Sequence, residues 1–325
     1  MNDAAPLVLL KHRADEEISL TTAPTVHDSA GDPVVAYLAR LTSAKSRSTM
    51  RGALALVAVE LGAADAHAIR WGALRYPHVA ALRGRLAERL APATTNKILC
   101  AVRGVAREAM RLGLLPAEAF TLIADVEGVR GSRLPAGRHV EGPELVSLFG
   151  ACSSTSPGGA RDLALLGVLR IAGLRRAELA ALHLADLDRS SWTLRVMGKG
   201  RKERRAYVAQ TRPELEAWLV VRGEAPGPLF CAVRKGGAPK TGAPLAESGI
   251  AWILARLARL AEIAHVSPHD IRRTFVGDLL DAGADLAIVQ RLAGHAQVST
   301  TQRYDRRGER AAAKAAALLS VPRLA

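Results

Sequence analysis

The segment of residues 268–304 constrains this chain more than any other part of the sequence. A helix that begins at Pro268 places His269 and Arg272 on one face, because residues three apart on a helix are neighbours. Glycine near the end of a helical pattern is typical of a helix C-terminus. Two glycines are placed to end this helix and the next one, Gly283 and Gly294.

The same segment carries groups suited to phosphoryl transfer. Arg272 and the two histidines, His269 and His295, are hydrogen-bond donors that suit an anion. Tyr304 is a hydroxyl nucleophile whose proton must be handled by a neighbouring group. Positioning and charge stabilisation supply most of the catalysis in phosphoryl transfer. Cationic donors around a nucleophilic oxygen therefore favour that class of reaction.

The order of the motifs H-D-I-R-R-T-F, L-A-G-H and T-T-Q-R-Y resembles the C-terminal signature of the tyrosine recombinases, the phage integrase family. The resemblance is strong over residues 141–319 and holds in pattern and length over 32–122. It implies a mainly α fold with a small antiparallel β-sheet. An N-terminal helical core-binding domain would precede a C-terminal α+β catalytic domain.

A length of 325 residues suits more than one domain. Residues 1–30 mix Pro, Thr, Ser, Asp and Gly without a period and predict a flexible arm. Residues 31–125 show helical spacing and resemble the family's core-binding domain, a SAM-like helical DNA-binding module. Gly, Pro and Arg without an apolar period predict a linker over 126–139. The catalytic domain would then span 140–325.

Composition indicates a nucleic-acid partner and a reducing compartment. The formal charge of +14 points to a polyanion. Three scattered cysteines show neither metal spacing nor a disulfide framework, and Cys100 lies in a helical apolar pattern that predicts a core residue. Trp218 and Trp252 are interpreted as packing residues, and the basic, Gly-rich residues 234–244 are interpreted as a loop. No apolar run approaches membrane length, so we expect a cytoplasmic, nucleoid-associated protein without a membrane partner.

Two further motifs match the family. A-G-L-R-R-A-E-L resembles its first arginine motif, with Arg175 as the catalytic arginine and Glu178 three residues on, placed to hold its guanidinium. By itself this pair is typical of an ordinary surface ion pair, worth under ~1 kcal/mol. V-M-G-K-G-R-K-E-R-R predicts a β-hairpin with Lys199 between two tip glycines. In the family this lysine enters the minor groove near the scissile bond.

The resemblance implies a complete catalytic mechanism. Tyr304 would attack a phosphodiester, forming a 3′-phosphotyrosyl bond and releasing a 5′-hydroxyl. The two arginines and His295 would bind the phosphate, His269 would manage the tyrosine proton, and Lys199 would protonate the leaving oxygen. No metal, ATP or other cofactor is expected. Strand exchange would pass through a Holliday junction. The implied catalytic residues are Arg175, Lys199, His269, Arg272, His295 and Tyr304.

Partners follow from the same resemblance and from basic surfaces. Double-stranded DNA with an inverted-repeat core site is expected, bound by a homo-tetramer that exchanges its Ala-rich C-terminal helix, with accessory DNA-bending proteins as further partners. A C-terminal helix that packs on its own domain is an equal alternative to exchange. Contacts to DNA are predicted at a helix beginning at Thr94, on the basic hairpin and on a helix over 246–263. The predicted contact residues are Thr94, Thr95, Asn96, Lys97, Arg103, Arg201, Lys202, Arg204 and Arg256.

The sequence leaves other functions open. A type IB topoisomerase uses similar chemistry but relaxes DNA, and the segment G-H-A-Q-V-S-T-T-Q-R-Y together with the two-domain length favours a recombinase. A non-catalytic, sequence-specific DNA-binding protein would explain the charge and the helices but not the full catalytic set. Integration, excision or resolution of a mobile element ranks first among the biological roles, ahead of chromosome-dimer resolution.

Overall fold

The structure is a computed structural model, and it describes residues 31–131, 137–152, 155–198 and 202–295. These residues fall into two compact units, one within Met1–Pro135 and the other within Ala136–Ala325. Each unit has its own apolar core. Across the described ranges, no helix has both the length and the apolar character that crossing a membrane requires.

The first unit is a helical bundle built around one central helix. That helix, α4 (Pro92–Arg111), contacts each of the other described helices of the unit. Its residues Ile98, Val102, Val105 and Ala109 are buried at helical spacing, as the sequence predicts. The sequence did not predict the last of these helices, which covers the core with Ile123. The helices are α1 (Pro33–Ala39), α2 (Ala44–Leu61), α3 (Tyr76–Arg89), α4 (Pro92–Arg111) and α5 (Ala117–Asp125).

The predicted linker over 126–139 is held by the units at both of its described ends. Val126 is buried in the first core, and the side-chain amide of Asn96 accepts from the Val129 N–H at 2.7 Å and donates to the Val129 carbonyl at 3.0 Å. At the other end, the backbone N–H of Arg138 donates to Asp270 of the second unit at 2.8 Å. The described residues at each end of the predicted linker are therefore bonded to the unit beside them.

The second unit combines helices with two small sheets. Helix α7 (Pro157–Ala172) is buried on almost every side, as its continuous apolar sequence predicts. Trp218 is fully buried, and its indole N–H donates to the Leu229 carbonyl at 2.8 Å. The helices are α6 (Gly142–Gly150), α7 (Pro157–Ala172), α8 (Arg176–Ala180), α9 (Arg212–Arg222), α10 (Glu247–Leu260), α11 (Pro268–Asp281) and α12 (Leu286–Ala293).

Antiparallel pairing connects the strands of both sheets. The first sheet has the order β1 (Leu187–Asp188), β2 (Thr193–Met197) and β3 (Glu203–Tyr207), with Met197 opposite Glu203 at the hairpin end. The second sheet pairs β4 (Cys231–Val233) with β5 (Pro239–Pro244). The predicted fold class, mainly α with a small antiparallel sheet, is confirmed.

Three local expectations were wrong. Residues 234–244 were interpreted as a loop, but a turn at Gly237, whose φ is +85°, allows β5 to pair with β4. Cys100 is exposed, because it lies on the side of α4 opposite the buried residues. Trp252 is 62% exposed and lies beside the Arg256 guanidinium, which is 5.6 Å from its ring centroid.

Candidate active site

The first turn of α11 positions two of the predicted site residues. Ser267 caps the helix, and the Asp270 carboxylate accepts from the Ser267 N–H at 2.8 Å. This capping box fixes the turn that carries His269 and Arg272. Arg272 is 4% exposed and donates to the carbonyls of Gly173 at 2.5 Å and Ala293 at 2.6 Å.

Arg175 lies at the N-cap of α8, and Glu178 holds it as the spacing predicts. Its Nη1 donates to Glu178 Oε1 at 2.6 Å, and its backbone N–H donates to Glu178 Oε2 at 2.9 Å. Its Nη2 donates to the Gly294 carbonyl at 2.7 Å. The side chain remains 37% exposed. Glu178 and Gly294 therefore fix the orientation of the guanidinium while part of it stays accessible to solvent.

Two glycines allow the arginines to reach these carbonyls. Gly173 and Gly294 both have left-handed backbone conformations, with φ of +55° and +65°, which L side chains rarely adopt. A Cβ on Gly173 would lie 2.2 Å from the Phe275 ring, and a Cβ on Gly294 would lie 3.1 Å from the Arg204 guanidinium. The glycines of A-G-L-R-R and L-A-G-H are therefore required by backbone conformation and by space.

Three successive carbonyls at the end of α12 accept hydrogen bonds from three different arginines. Leu292 accepts from Arg204 Nε at 3.2 Å, while Ala293 and Gly294 accept from Arg272 and Arg175. The last carbonyls of a helix lack intrahelical donors and carry the negative end of the helix dipole. This one helix end therefore gathers guanidinium groups from α8, α11 and β3.

His295 follows directly and is nearly buried, at 9% exposure. Its backbone N–H donates to the Gln290 carbonyl at 3.0 Å, and the Gln290 amide donates to its carbonyl at 3.1 Å. Burial, followed by the positive charges of Arg272 and Arg175, lowers the pKa of His295 to about 4. The imidazole is therefore neutral at pH 7, and not the cation that its place among anion-binding groups suggests.

His269 is more exposed than His295 but belongs to the same electrostatic environment. Desolvation and the charge of Arg272 lower its pKa below the ordinary value of 6.5. At neutral pH the ring is mostly unprotonated and can accept a proton.

Glu178 supplies a negative charge among these arginines. Burial raises the pKa of this carboxyl, but hydrogen bonds from Arg204 and from the Arg175 backbone outweigh burial and hold the pKa below its ordinary value. Glu178 pairs with the guanidinium groups of Arg175 and Arg204, while Arg272 donates to carbonyls. One ionised carboxylate among three guanidinium groups leaves the cluster with an excess of positive charge. Such a cluster favours an anion with several oxygens, as a phosphodiester has.

The structure brings together four of the six predicted catalytic residues: Arg175, His269, Arg272 and His295. Lys199 and Tyr304 lie outside the described residues, as do Arg201 and the Ala-rich C-terminal segment. Within the described part of the chain, no group of three His, Cys, Asp or Glu residues is placed to hold a metal ion.

The predicted phosphate site at the start of α4 was wrong in part. Thr95 is fully buried, and because the helix begins at Pro92, the amides of Thr94 and Thr95 already donate to the Ala91 carbonyl at 2.9 and 3.0 Å. The Asn96 side chain is held by Val129. The Arg103 guanidinium donates to the Val126 carbonyl. Lys97 is exposed, as a DNA contact requires.

Two other predicted DNA contacts point into the protein. Arg204 is bound to Glu178 and Leu292, with only 11% of its side chain exposed. Arg256 donates to the buried carboxylate of Asp162. Lys202, by contrast, is exposed. The sequence placed Arg204 in a basic surface run, and only its alternation along β3 signals that it faces the opposite way from Arg205.

Comparison with known proteins adds independent information. Residues 138–310 match the model of the phage integrase family. A tyrosine recombinase XerC of Myxococcus xanthus is 37% identical over 229 residues, which cover 68% of this chain and 74% of the relative.

Solved structures share the fold at lower identity. A lambda integrase dimer bound to a COC′ core site is similar with a TM-score of 0.65 and 15% identity, covering 88% of this chain and 97% of that one. XerH site-specific recombinase bound to a palindromic difH substrate is similar with a TM-score of 0.59 and 21% identity, covering 76% of this chain and 72% of that one.

Proposed function

This chain belongs to the phage integrase family of tyrosine recombinases, and we propose that it cleaves and rejoins DNA strands at a specific site through a 3′-phosphotyrosyl intermediate. The observation that carries this proposal is the convergence of Arg175 and Arg272 on the end of α12, with both histidines beside them. A cluster of this kind suits the binding of a phosphodiester, which is the group that the proposed reaction cleaves.

The two arginines bind the non-bridging oxygens of the scissile phosphate. A guanidinium has five N–H donors, and the bonds of Arg175 to Glu178 and Gly294 set its plane while its exposed edge remains open to a ligand. Arg272 is buried and fixed by two carbonyls. Donors oriented before the substrate arrives need no reorganisation as charge develops, which is how such groups lower a barrier.

The histidines act in their neutral forms. His295 donates one ring N–H to the phosphate, and the arriving negative charge favours its protonation as the reaction proceeds. His269 accepts the proton of the attacking hydroxyl, because its lowered pKa leaves it unprotonated at neutral pH.

Tyr304 and Lys199 complete the mechanism on the strength of the family motifs. The Tyr304 oxygen attacks phosphorus, the bond from phosphorus to the 5′ oxygen breaks, and Lys199 supplies the proton to that leaving oxygen. A 5′-hydroxyl from a second duplex then attacks the phosphotyrosine and releases Tyr304. The covalent bond conserves the energy of the phosphodiester, so the reaction needs no ATP. The cationic side chains of the cluster stabilise the charge that a metal ion would otherwise stabilise.

The partner is double-stranded DNA with an inverted-repeat core site, bound by a homo-tetramer. Both solved neighbours are described on DNA, one of them on a palindromic site. An apolar groove between α7, β3, α11 and α12, with a volume of about 460 Å³, supports exchange of the Ala-rich C-terminal helix between subunits. Its lining includes Ile171, Ala206, Phe275 and Leu292.

Similarity to a recombinase named XerC favours chromosome-dimer resolution over the mobile-element role expected from the sequence. The other readings are weaker. The family match favours a recombinase over a relaxing topoisomerase. A non-catalytic DNA-binding protein would have no need for two arginines that converge beside two histidines. Accessory DNA-bending proteins remain part of the proposal.

Trapping of covalent complexes tests the proposed function. The full chain is incubated with sheared DNA from its own genome, the reaction is stopped with SDS, and the DNA ends attached to protein are sequenced. We expect adducts at one short inverted repeat, undiminished by EDTA and missing with Tyr304→Phe. Tight DNA binding by the wild-type protein without any adduct would support a binding protein instead.

A further inference from the structure

We propose that Arg204 is a positioning residue for cleavage, which holds Glu178 and the end of α12 in place and thereby fixes the guanidinium of Arg175. The inference rests on the proposed function and deepens it, because it assigns a role to a residue outside the six that the family's motifs mark. It also replaces the DNA contact predicted from the basic run of the hairpin.

Arg204 lies where three elements of the site meet. It projects from β3, its Nη2 donates to Glu178 Oε2 of α8 at 2.8 Å, and its Nε donates to the Leu292 carbonyl of α12 at 3.2 Å. Only 11% of the side chain is exposed. Gly294 packs so closely against the guanidinium that a Cβ there would lie 3.1 Å from it. Arg204 is therefore part of the packed interior of the site.

The connection to Arg175 runs through one shared carboxylate. Oε1 of Glu178 accepts from Arg175 Nη1, and Oε2 accepts from both the Arg175 backbone and Arg204. If Arg204 is removed, Oε2 loses a charged donor in a site where only 5% of the Glu178 side chain is exposed. The carboxylate is then free to rotate towards Arg175 or to take up a proton. Either change shifts the guanidinium that binds the phosphate.

The backbone at the end of α12 provides a second connection. Leu292, Ala293 and Gly294 each accept from a different arginine, so Arg204 fixes the first carbonyl of the turn whose next two hold Arg272 and Arg175. Loss of that bond loosens both phosphate-binding groups together. Displacements of about 1 Å at a distance from the chemistry can slow a reaction by about 100-fold.

Arg205 is a matched control on the same strand. It is exposed and pairs across the sheet with Arg195. Arg204→Gln and Arg205→Gln therefore remove the same charge from neighbouring positions, one inside the site and one outside it. Arg204→Lys keeps the charge but has a single nitrogen to serve both Glu178 and Leu292.

The experiment measures single-turnover cleavage by the full chain at saturating DNA, together with the Kd for DNA. For Arg204→Gln we expect cleavage to fall by about 100-fold while Kd changes by less than about threefold. The cleavage rate of Arg204→Lys should lie between the rates of Arg204→Gln and the wild type. Arg205→Gln should cleave at the wild-type rate once DNA is saturating. Weakened binding with unchanged saturated cleavage in Arg204→Gln would restore the DNA-contact interpretation and overturn the proposal.

A modified substrate separates positioning from general structural support. A methylphosphonate at the scissile position removes the negative charge that Arg175 binds. If Arg204 acts through Arg175, the ratio of wild-type to Arg204→Gln rates should shrink towards one on this substrate, as it should for Arg175→Ala. An equal ratio on both substrates would show that Arg204 only supports the fold.

The two proposals fail in different ways. If the wild-type chain forms covalent adducts and Arg204→Gln forms them equally fast, the inference is wrong and the recombinase function stands. If the wild-type chain forms no adduct with any DNA, the proposed function fails and the inference fails with it.

Discussion

Replacing His295 with glutamine should reduce the sensitivity of the second unit to acid. The pKa of His295 is about 4 in the folded protein, against an ordinary value of 6.5. Burial is the largest cause, and the charges of Arg272 and Arg175 add to it. Since the folded pKa lies below the unfolded one, the unfolded chain binds the proton more readily between these values. Folding stability must therefore decrease as the pH falls from 6.5 towards 4.

The size of the effect follows from proton linkage. At pH 5 the unfolded imidazole is almost fully protonated while the folded one is mostly neutral, which costs about 2 kcal/mol of stability relative to pH 8. Below pH 4 the loss approaches about 3 kcal/mol. No such loss arises above pH 7, because the imidazole is neutral in both states.

Urea unfolding at several pH values, followed by tryptophan fluorescence, measures this difference. Three of the four tryptophans, Trp192, Trp218 and Trp252, belong to the second unit, so the signal reports mainly on it. Subtracting the His295→Gln curve from the wild-type curve cancels His269 and the carboxylates, which both proteins share. The wild type should lose about 2 kcal/mol more than the variant between pH 8 and pH 5. Equal losses would refute the burial of a neutral imidazole in this cluster.

Three further predictions concern the glycines, the arginines and the thiols. Gly294→Ala should destabilise the second unit by about 1–3 kcal/mol and slow cleavage, because φ is +65° and the added Cβ meets Arg204. The control is Gly283→Ala, where φ is +88° but the space is open. That variant should keep cleavage near the wild-type rate in the same assay. Arg272→Lys should slow single-turnover cleavage by about 10²–10³-fold with little change in DNA binding. The reason is that Arg272 reaches the Gly173 and Ala293 carbonyls through two different nitrogens, whereas the N–H groups of an ammonium all diverge from one nitrogen. Cleavage at the wild-type rate would contradict this role. A thiol reagent should label one cysteine in the folded chain and three after denaturation. Cys100 is exposed, whereas Cys152 and Cys231 are buried, and burial raises the pKa of Cys152 to about 12. Rapid labelling of all three in the folded chain would contradict the burial of Cys152 and Cys231.

The sequence predicted the site best at positions where a residue type has a narrow structural preference, such as proline and glycine at helix ends. Capping and termination signals located the helix from Pro268 and the end of the next one at Gly294, because proline and glycine have narrow backbone preferences. Spacing alone placed Glu178 beside Arg175. These local rules need no knowledge of the rest of the fold.

Side-chain direction could not be predicted from composition. Arg204 was interpreted as a DNA contact from a basic run, Arg103 from the charged face of a helix, and Arg256 from the family resemblance. Each of them donates instead to a group within its own unit. Cys100 and Trp252 were predicted to be buried but are exposed. Their apolar character did not indicate which side of the helix faces the core. For Arg204 the alternation along β3 gives its direction, but its partners on α8 and α12, like those of Arg103 and Arg256, come from distant segments that a local pattern does not contain.

Identification of the residue that becomes joined to DNA tests the central claim most directly. Covalent complexes formed by the full chain are trapped with SDS, trimmed with nuclease, digested with protease and analysed by mass spectrometry. The mechanism predicts a nucleotide remnant on the wild-type peptide that contains Tyr304. The Tyr304→Phe variant should carry no nucleotide remnant. A remnant on another residue, such as the exposed Tyr207 of β3, would contradict the assignment of the nucleophile.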